Sequence, residues 1–368
     1  MKKRILFILH LPPPVHGAAM VGKYIHDSKR INSEFDCQFA NLTLASNLQD
    51  VGKVGLKKLW RFIQLLNVIR RDVKQMKPDL IYITPNAKGR PFYKEWIIVM
   101  MLKSMRCRIV AHYHNKGVST RQERWFDDKL YRIFFKDLKV ILLTERLYSD
   151  ICKYVNKKNL FFCPNGIPTT KHSFQEHHNL VPHILFLSNL IESKGVFVLL
   201  DALKILQKKG LSFVCDFVGG ETKEINTQRF ADEVDKRDLN QLIVYHGNKY
   251  GEDKDWMFEH SDIFVFPTYY DTFPLVNLEA MSQYLPVVST TEGGIPDVIK
   301  DGYNGLITKR KDSQSLADKI EILLNDKELR EKMGEQGRRL FNEKFTIEAF
   351  EKRLCGIFQS IINDDGNT

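Results

Sequence analysis

Short apolar runs alternate with amphipathic segments along most of the chain. In the first half, such runs predict buried strands at residues 4–10, 36–42, 79–84, 107–112, 138–143 and 160–163. Buried runs that are separated by helical segments are typical of parallel sheets built from βαβ units. The pattern therefore predicts an α/β fold.

The same pattern restarts in the second half after a polar passage. Residues 169–182 follow a Pro-Asn-Gly-Ile-Pro turn and have no apolar period, so we interpret them as a linker. Further strands are predicted at residues 183–188, 213–218, 242–246, 262–266 and 286–289. We expect two doubly wound domains, at 1–168 and 183–345, followed by a helical tail at 346–368.

Two helices carry pronounced amphipathic patterns. In the tail, Thr346 is a suitable N-cap, and one apolar face predicts packing on a partner surface through Phe350, Leu354, Phe358 and Ile361. The second helix, Leu56–Met76, has an apolar half made of Leu59, Phe62, Ile63, Leu66, Ile69 and Val73. Its opposite half carries Lys57, Arg61 and Arg71. A core-facing helix with a solvated basic face explains this pattern; a peripheral contact with an anionic membrane is the alternative.

The composition narrows the class of protein. With 368 residues, 43% of them hydrophobic and 27% charged, the chain is long enough for two folded domains and too apolar for a disordered protein. A formal charge of +10 is compatible with three kinds of binding partner: nucleic acid, an anionic membrane or a phosphorylated substrate. We do not expect nucleic-acid binding, because no motif interleaves aromatic and basic residues.

Cysteine spacing and the N-terminus bear on the compartment. The six cysteines are scattered without metal-type spacing, which favours reduced thiols in a cytoplasmic protein. The basic start and the apolar run Ile5–Leu11 superficially resemble a signal peptide, but the run is short and ends in prolines. We interpret it as the first strand. We expect a cytoplasmic protein or one that is peripheral on the inner face of the membrane.

Polar residues follow several predicted strands, where open α/β folds bind ligands. Gly17 lies in a small-residue turn before a helix, where backbone amides can approach a phosphate, although, taken alone, a strand-to-helix turn with structural proline explains it better. His114 follows the fourth strand and could orient a substrate hydroxyl. Together with His112 it could also suggest a metal pair, but no carboxylate lies nearby in sequence, so we expect no metal.

The second half has two further candidate groups. Lys194 follows the strand at 183–188 and can place a positive charge on a diphosphate, although most single lysines are surface residues. Asp271 and Glu279 have seven residues between them, across a loop and the start of a helix. Glu279 can accept hydrogen bonds from vicinal hydroxyls, and the amides of residues 273, 275 and 276 can hold phosphate. Asp253-Lys254-Asp255 lacks a preceding strand, so we expect a solvated turn there.

Four ordered motifs of the second half resemble family 4 of the retaining glycosyltransferases. They are Ser193 to Gly195, Phe217 to Gly220, Phe273 to Met281 and Gly293 to Ile299, and Pro164 to Ile167 matches the end of that family's first domain. The resemblance covers nearly the whole chain, and the ordered set is specific. It implies the GT-B fold, in which two Rossmann-like domains face each other across a cleft and a C-terminal helix returns to the first domain.

The resemblance also implies an activity. A sugar would pass from a nucleoside-diphosphate sugar to a hydroxyl with retained anomeric configuration, without a metal or other cofactor. The acceptor would be a glycan or a lipid-linked molecule in the assembly of surface polysaccharide or another glycoconjugate.

The family's functional positions map onto residues of this chain. Glu279 would hold the donor ribose, Lys194 would neutralise the departing diphosphate, and His114 would face the sugar from the first domain. The implied catalytic residues are His114, Lys194 and Asp271. The implied donor-binding residues are Gly17, Asn189, Lys194, Tyr250, Asp271, Phe273, Pro274, Leu275, Val276 and Glu279. Tyr250 would stack on the base, and an ordinary loop tyrosine explains it equally.

Two departures from the family pattern leave alternatives open. Asp271 stands where the family has a glutamate, and Asn189 stands where it commonly has an arginine. Without that arginine, the diphosphate has one fixed positive charge fewer beside it. We therefore expect Lys194 to supply more of the charge neutralisation than is usual in the family. A nucleotide-sugar epimerase, or a donor-binding protein without turnover, is the alternative.

Overall fold

Six parallel strands form the sheet of the first unit. In the computed structural model, which describes residues 1–13, 17–43, 56–169 and 179–364, their order is β2-β1-β3-β4-β5-β6. The strands are β1 Arg4–Leu9, β2 Asp36–Asn41, β3 Leu80–Ile83, β4 Ile109–Tyr113, β5 Lys139–Leu142 and β6 Leu160–Phe162. β1 and β3 to β5 are apolar and almost wholly buried, as expected for strands covered on both faces.

Helices connect these strands. They are α1 Gly17–Asp27, α2 Lys29–Glu34, α3 Leu56–Met76, α4 Gly89–Ser104 and α5 Trp125–Phe135. The crossovers through α3, α4 and α5 step across the sheet in one direction, whereas the crossover through α1 and α2 steps the opposite way. Because parallel crossovers are right-handed, α3, α4 and α5 share one face of the sheet. Trp96 of α4 donates from Nε1 to the carbonyl of Leu130 on α5, at 3.1 Å.

The last helix, α13 Ile347–Asn363, belongs to the first unit, which comprises Met1–Gly166 and Ile347–Thr368. The Phe358 ring lies 5.7 Å from that of Phe7 and 5.4 Å from that of Tyr82. Arg108 donates from Nη1 to the carbonyls of Ile361 and Ile362, which satisfies the helix C-terminus. The return of the C-terminal helix to the first domain is therefore confirmed.

The second unit, Ile167–Thr346, contains another parallel six-stranded sheet, with order β12-β11-β10-β7-β8-β9. Its strands are β7 His183–Leu187, β8 Val214–Val218, β9 Ile243–Tyr245, β10 Ile263–Phe266, β11 Val287–Thr290 and β12 Gly305–Thr308. Its helices are α6 Val196–Lys208, α7 Thr227–Asp235, α8 Glu252–Glu259, α9 Leu275–Ser282, α10 Ile295–Val298, α11 Ser313–Asn325 and α12 Lys327–Lys344. The pattern predicted α/β architecture correctly, but it missed β12, whose four residues include a glycine and a threonine.

Helix α3 corrects one expectation. Phe62, Ile69 and Val73 are buried, whereas Leu59 and Ile63 of the predicted core face are exposed. A helix of 21 residues is about 32 Å long, whereas the six-residue strands beneath it span roughly 20 Å. The first turns of α3 therefore extend beyond the core.

Some sequence expectations fall outside the described residues. They concern most of the predicted linker, at 170–178, the side chain of Lys57, and the part of the proline-rich turn at 14–16. Among the described residues, no helix is both long and apolar enough to cross a bilayer.

Candidate active site

The loop after β7 brings Lys194 to the carboxyl edge of the second sheet. Lys194 ends a short 3-10 turn, and Gly195 follows with φ +88°. A Cβ at Gly195 would lie 2.3 Å from the Pro267 carbonyl oxygen, so only glycine allows this loop to pack on the end of β10. Lys194 Nζ donates to Asp271 Oδ2 at 2.6 Å. The fold therefore brings together two residues that are 77 positions apart in sequence.

A buried glutamate, Glu292, forms a hydrogen bond with the backbone of Asp271. The backbone amide of Asp271 donates to Glu292 Oε1 at 3.2 Å, and Arg310 Nη1 donates to Glu292 Oε2 at 2.7 Å. Glu292 is buried, and the next residue, Gly293, has φ +53°. A Cβ at Gly293 would lie 2.6 Å from the carbonyl oxygens of Asp271 and Thr272. These contacts fix the backbone of the Asp271 loop.

Sequence reasoning missed Glu292 and Arg310. Glu292 directly precedes the Gly-Gly motif and could have been found from that position. Arg310 gave no such signal, because it follows the unpredicted strand β12.

Helix α9 carries the next group of predicted residues. Pro274 is its N-cap, and the helix begins at Leu275. The amides of Leu275 and Val276 lie in the first turn, where helix amides have no intrahelical acceptor. Phe273 is buried, with its ring 6.3 Å from that of Phe345. The Phe273 side chain is therefore part of the core, and only its backbone can face a ligand.

Glu279, also on α9, forms an ion pair that the sequence did not suggest. Lys254 Nζ donates to Glu279 Oε1 at 2.9 Å. The expectation of a solvated turn at Asp253-Lys254-Asp255 is wrong, because these residues lie in α8. Burial raises the pKa of Glu279, and Lys254 opposes that shift.

Asn189 and Tyr250 differ in how they are held. Asn189 Oδ1 accepts a hydrogen bond from the Gly220 amide at 3.2 Å, which joins the loops after β7 and β8. Gly219 permits this approach, since a Cβ there would lie 1.9 Å from the Ser188 carbonyl oxygen. Tyr250 precedes α8 and is 68% exposed.

In the first unit, His114 directly follows β4. The rings of His112 and His114 are 4.2 Å apart, and Tyr82 Oη lies 2.7 Å from His112 Nδ1. Burial, with a smaller contribution from His10, lowers the pKa of His114 to about 3. Burial also lowers the pKa of His112 well below its usual value. Both imidazoles are therefore neutral near pH 7.

Glu95, a buried carboxylate, lies at the same edge of the first sheet and was not predicted. It accepts hydrogen bonds from the Asn86 amide at 2.5 Å and from Asn86 Nδ2 at 2.9 Å. His10 Nε2 lies 3.5 Å from Glu95 Oε1. Gly17, the predicted phosphate contact, is the first residue of α1, and a Cβ there would meet no atom within 4 Å. No group of three or more His, Cys, Asp or Glu side chains with metal-binding geometry occurs within the described ranges.

Curated relatives align with part of the chain. The capsular polysaccharide biosynthesis glycosyltransferase CapM of Staphylococcus aureus is 28% identical over 193 residues, which cover 52% of this chain and 50% of CapM. The putative colanic acid biosynthesis glycosyltransferase WcaL of Salmonella typhimurium is 23% identical over 268 residues, 70% of this chain and 65% of WcaL. The chain spans about half to two thirds of the length of these relatives.

Solved structures match the fold over almost the whole chain. A glycosyltransferase from Rickettsia africae gives a TM-score of 0.76 at 17% identity and covers 99% of this chain and 100% of its own. HepE of Anabaena, solved in complex with UDP, gives a TM-score of 0.75 at 15% identity and covers 97% of this chain and 100% of its own. At such identities the likeness shows the fold alone, which is GT-B.

A family profile gives the more specific result. The profile of the glycosyl transferases group 1 matches residues 169–340, which contain Lys194, Asp271, Glu279 and Glu292. The second unit of this chain is therefore similar to the glycosyl transferases group 1.

Proposed function

We propose that this protein is a retaining glycosyltransferase that uses a nucleoside-diphosphate sugar. The observation that carries the proposal is the Lys194–Asp271 ion pair, 2.6 Å long, in the family-matched unit. A fixed ammonium at the carboxyl edge of a parallel sheet is suited to a diphosphate leaving group. HepE, a structural neighbour, has been solved with UDP and with UDP-glucose, which supports a donor of this class.

In the proposed binding mode, the donor lies along the carboxyl edge of the second sheet. The amides of Leu275 and Val276 hold the diphosphate, and Glu279 accepts hydrogen bonds from the ribose hydroxyls. The Glu279 carboxylate would then accept hydrogen bonds from both Lys254 and the ribose. We also propose that Asn189 contacts the phosphate and that Tyr250 contacts the base. Asp271 binds the sugar.

The proposed reaction keeps the anomeric configuration through same-face attack. The bond between the anomeric carbon and the phosphate oxygen breaks as the acceptor oxygen bonds to that carbon. The acceptor proton passes to the leaving phosphate oxygen, and Lys194 balances the charge that develops on the diphosphate. Because Lys194 supplies positive charge, metal independence is part of the proposal, and activity should persist in EDTA.

The first unit is proposed to supply neutral contacts. His114 would donate to, or accept from, a sugar hydroxyl, and Gly17 would allow close approach of phosphate. The neutral state of His114 near pH 7 supports this role, because an uncharged imidazole both donates and accepts.

The acceptor is proposed to be a glycan or lipid-linked hydroxyl in surface polysaccharide or glycoconjugate assembly. The names of CapM and WcaL, which both refer to polysaccharide biosynthesis, support this part. We place the reaction on the cytoplasmic side, with peripheral contact to the inner membrane surface.

Thermal-shift screening tests the donor. UDP, GDP, ADP and their sugars are compared, because a ligand that binds only the folded state raises its stability. We expect one nucleotide series to stabilise the protein, and no stabilisation by any of them would rule out the donor proposal. NMR of products then separates the alternatives: an epimerase converts the donor without acceptor, and a binding protein consumes none.

A further inference from the structure

Exposed apolar side chains cluster at the starts of two helices of the first unit. On α3, Leu59 is 57% exposed and Trp60 is 61% exposed. On α5, Trp125 is 76% exposed and Phe126 is 59% exposed. At the start of α5, the two adjacent aromatic side chains present roughly 250 Å² of apolar surface. Contiguous exposed apolar surface of a few hundred Å² marks interaction sites.

The topology brings the two clusters to one side of the first unit. Helices α3 and α5 share a face of the sheet, and each begins after a strand, at the carboxyl edge. Leu59 and Trp60 are in the first two turns of α3, and Trp125 and Phe126 are the first residues of α5. With α4 between them, the helices are separated by about 20 Å, since packed helices lie 8–10 Å apart. Both clusters can therefore contact one flat surface.

Positive charge surrounds both clusters. Arg61, Arg124 and Lys129 are exposed, and Lys129 Nζ lies 5.5 Å from the centre of the Trp125 ring. The acids of α5 are paired within the protein. Asp127 faces Arg121 at 3.7 Å, and Asp128 pairs with Arg132 at 2.8 Å. The remaining exposed charges at the start of α5 are Glu123, Arg124 and Lys129, which leave a net positive charge.

We propose that this basic–apolar face, formed by Leu59, Trp60, Arg61, Trp125, Phe126 and Lys129, docks onto an anionic lipid bilayer. Tryptophan and phenylalanine insert between headgroups, and lysine and arginine beside them attract anionic lipid. The sequence suggested such a contact for α3 alone. The structure adds α5 and places both at the edge of the sheet that carries His114. The proposal deepens the proposed function, because it names the partner that would hold a lipid-linked acceptor.

Vesicle co-sedimentation of the full chain tests the face. The vesicles are phosphatidylcholine alone, or phosphatidylcholine with roughly one quarter phosphatidylglycerol, at low ionic strength. The wild-type protein should bind the anionic vesicles, and salt should weaken the binding. Trp125→Ser with Phe126→Ser should weaken it at least about tenfold, by removing the inserted apolar surface. Arg124→Gln with Lys129→Gln should weaken it roughly tenfold on anionic vesicles only.

A matched variant and a folding readout accompany these measurements. Ile322→Ser removes an exposed apolar side chain of α11 in the second unit and should leave vesicle binding unchanged. A cooperative thermal unfolding transition like that of the wild type shows that each variant is folded. If no nucleotide stabilises even the wild type, the donor proposal fails while the vesicle result stands by itself.

Three results would overturn the membrane proposal. The first is a wild-type protein that ignores anionic vesicles at low ionic strength. The second is equal binding by folded wild-type and Trp125→Ser, Phe126→Ser proteins. The third is self-association in analytical ultracentrifugation that the same variant abolishes, because the face would then join copies of this chain.

Discussion

The carboxyl edges of the two sheets hold their polar side chains in opposite ways. At the second sheet, Lys194 pairs with Asp271, Lys254 with Glu279 and Arg310 with Glu292, at 2.6 to 2.9 Å. At the first sheet, His112 and His114 are neutral near pH 7, and the imidazole nitrogens of His114 make no well-formed hydrogen bond among the described residues. Fixed charges suit a charged donor, whereas neutral buried donors and acceptors suit sugar hydroxyls.

The largest effect should come from the lysine of the charged edge. Lys194→Ala should lower turnover by about a hundredfold or more, because the leaving diphosphate loses its fixed charge. Initial rates of donor consumption measure this effect. Lys204→Ala, which removes a lysine of α6 that pairs with Asp238, is the matched control. Near-normal turnover of Lys194→Ala would refute the assigned role.

The neutral His114 of the first edge should make the stability of the folded protein depend on pH. The pKa of His114 is about 3 in the folded protein and ordinarily near 6.5 in an unfolded chain. The unfolded state therefore binds more protons between these values, and stability falls as pH falls through this window. His114→Gln should reduce that loss by about 1.4 kcal/mol per pH unit, a tenfold change in the folding equilibrium constant.

Urea unfolding at pH 7, 6 and 5 measures this slope. The control, His26→Gln, removes an exposed histidine of α1 and should leave the slope as in the wild type. An identical slope for His114→Gln would mean that His114 is not held neutral by burial.

Asp271 should influence which sugar is accepted. Asp271→Glu lengthens the carboxylate by one methylene and should shift preference among donor sugars by about tenfold, with a smaller effect on nucleotide affinity. Competition between two donor sugars in one reaction measures the preference. If the ratio of products is unchanged, Asp271 does not determine which donor sugar is preferred.

The smallest effect should concern Lys254. In Lys254→Met, burial of Glu279 is no longer opposed, so its pKa rises further and less of it is ionised at mildly acidic pH. The loss of nucleoside-diphosphate affinity between pH 8 and pH 6 should then be about fivefold larger than in the wild type, whose own loss reports protonation of the terminal phosphate near pH 6. Calorimetry at both pH values measures this, and Lys249→Met, which removes the lysine near Asp253, serves as the control. The same pH dependence in Lys254→Met and in the wild type would separate Glu279 from donor binding.

The sequence predicted the two sheets and the returning helix because buried runs and periodic faces are local properties. It also placed Lys194, Asp271 and Glu279 in loops or helix starts after strands, because the order of the motifs along the chain can be read from the sequence itself. The partners of these residues were not predictable in the same way. Lys254 lies 25 residues from Glu279, and Arg310 lies 18 from Glu292, on elements whose approach depends on tertiary packing.

Exposure was the least predictable property. The periodicity of α3 assigns Leu59 and Ile63 to the buried half, but it cannot say where the sheet beneath the helix ends. At α5, Trp125 and Phe126 look like core residues in composition, yet they start the helix at the rim of the sheet. Helix length relative to strand length decides the case of α3, whereas Trp125 and Phe126 are exposed because they are the first residues of α5.

The central claim is that the charged edge of the second unit binds the donor through Glu279. Calorimetric titration of the stabilising nucleoside diphosphate into wild type and Glu279→Ala tests it most directly. The dissociation constant should rise by about tenfold or more in Glu279→Ala, because two charge-assisted hydrogen bonds to the ribose are lost. Equal dissociation constants, with both proteins folded, would contradict the account.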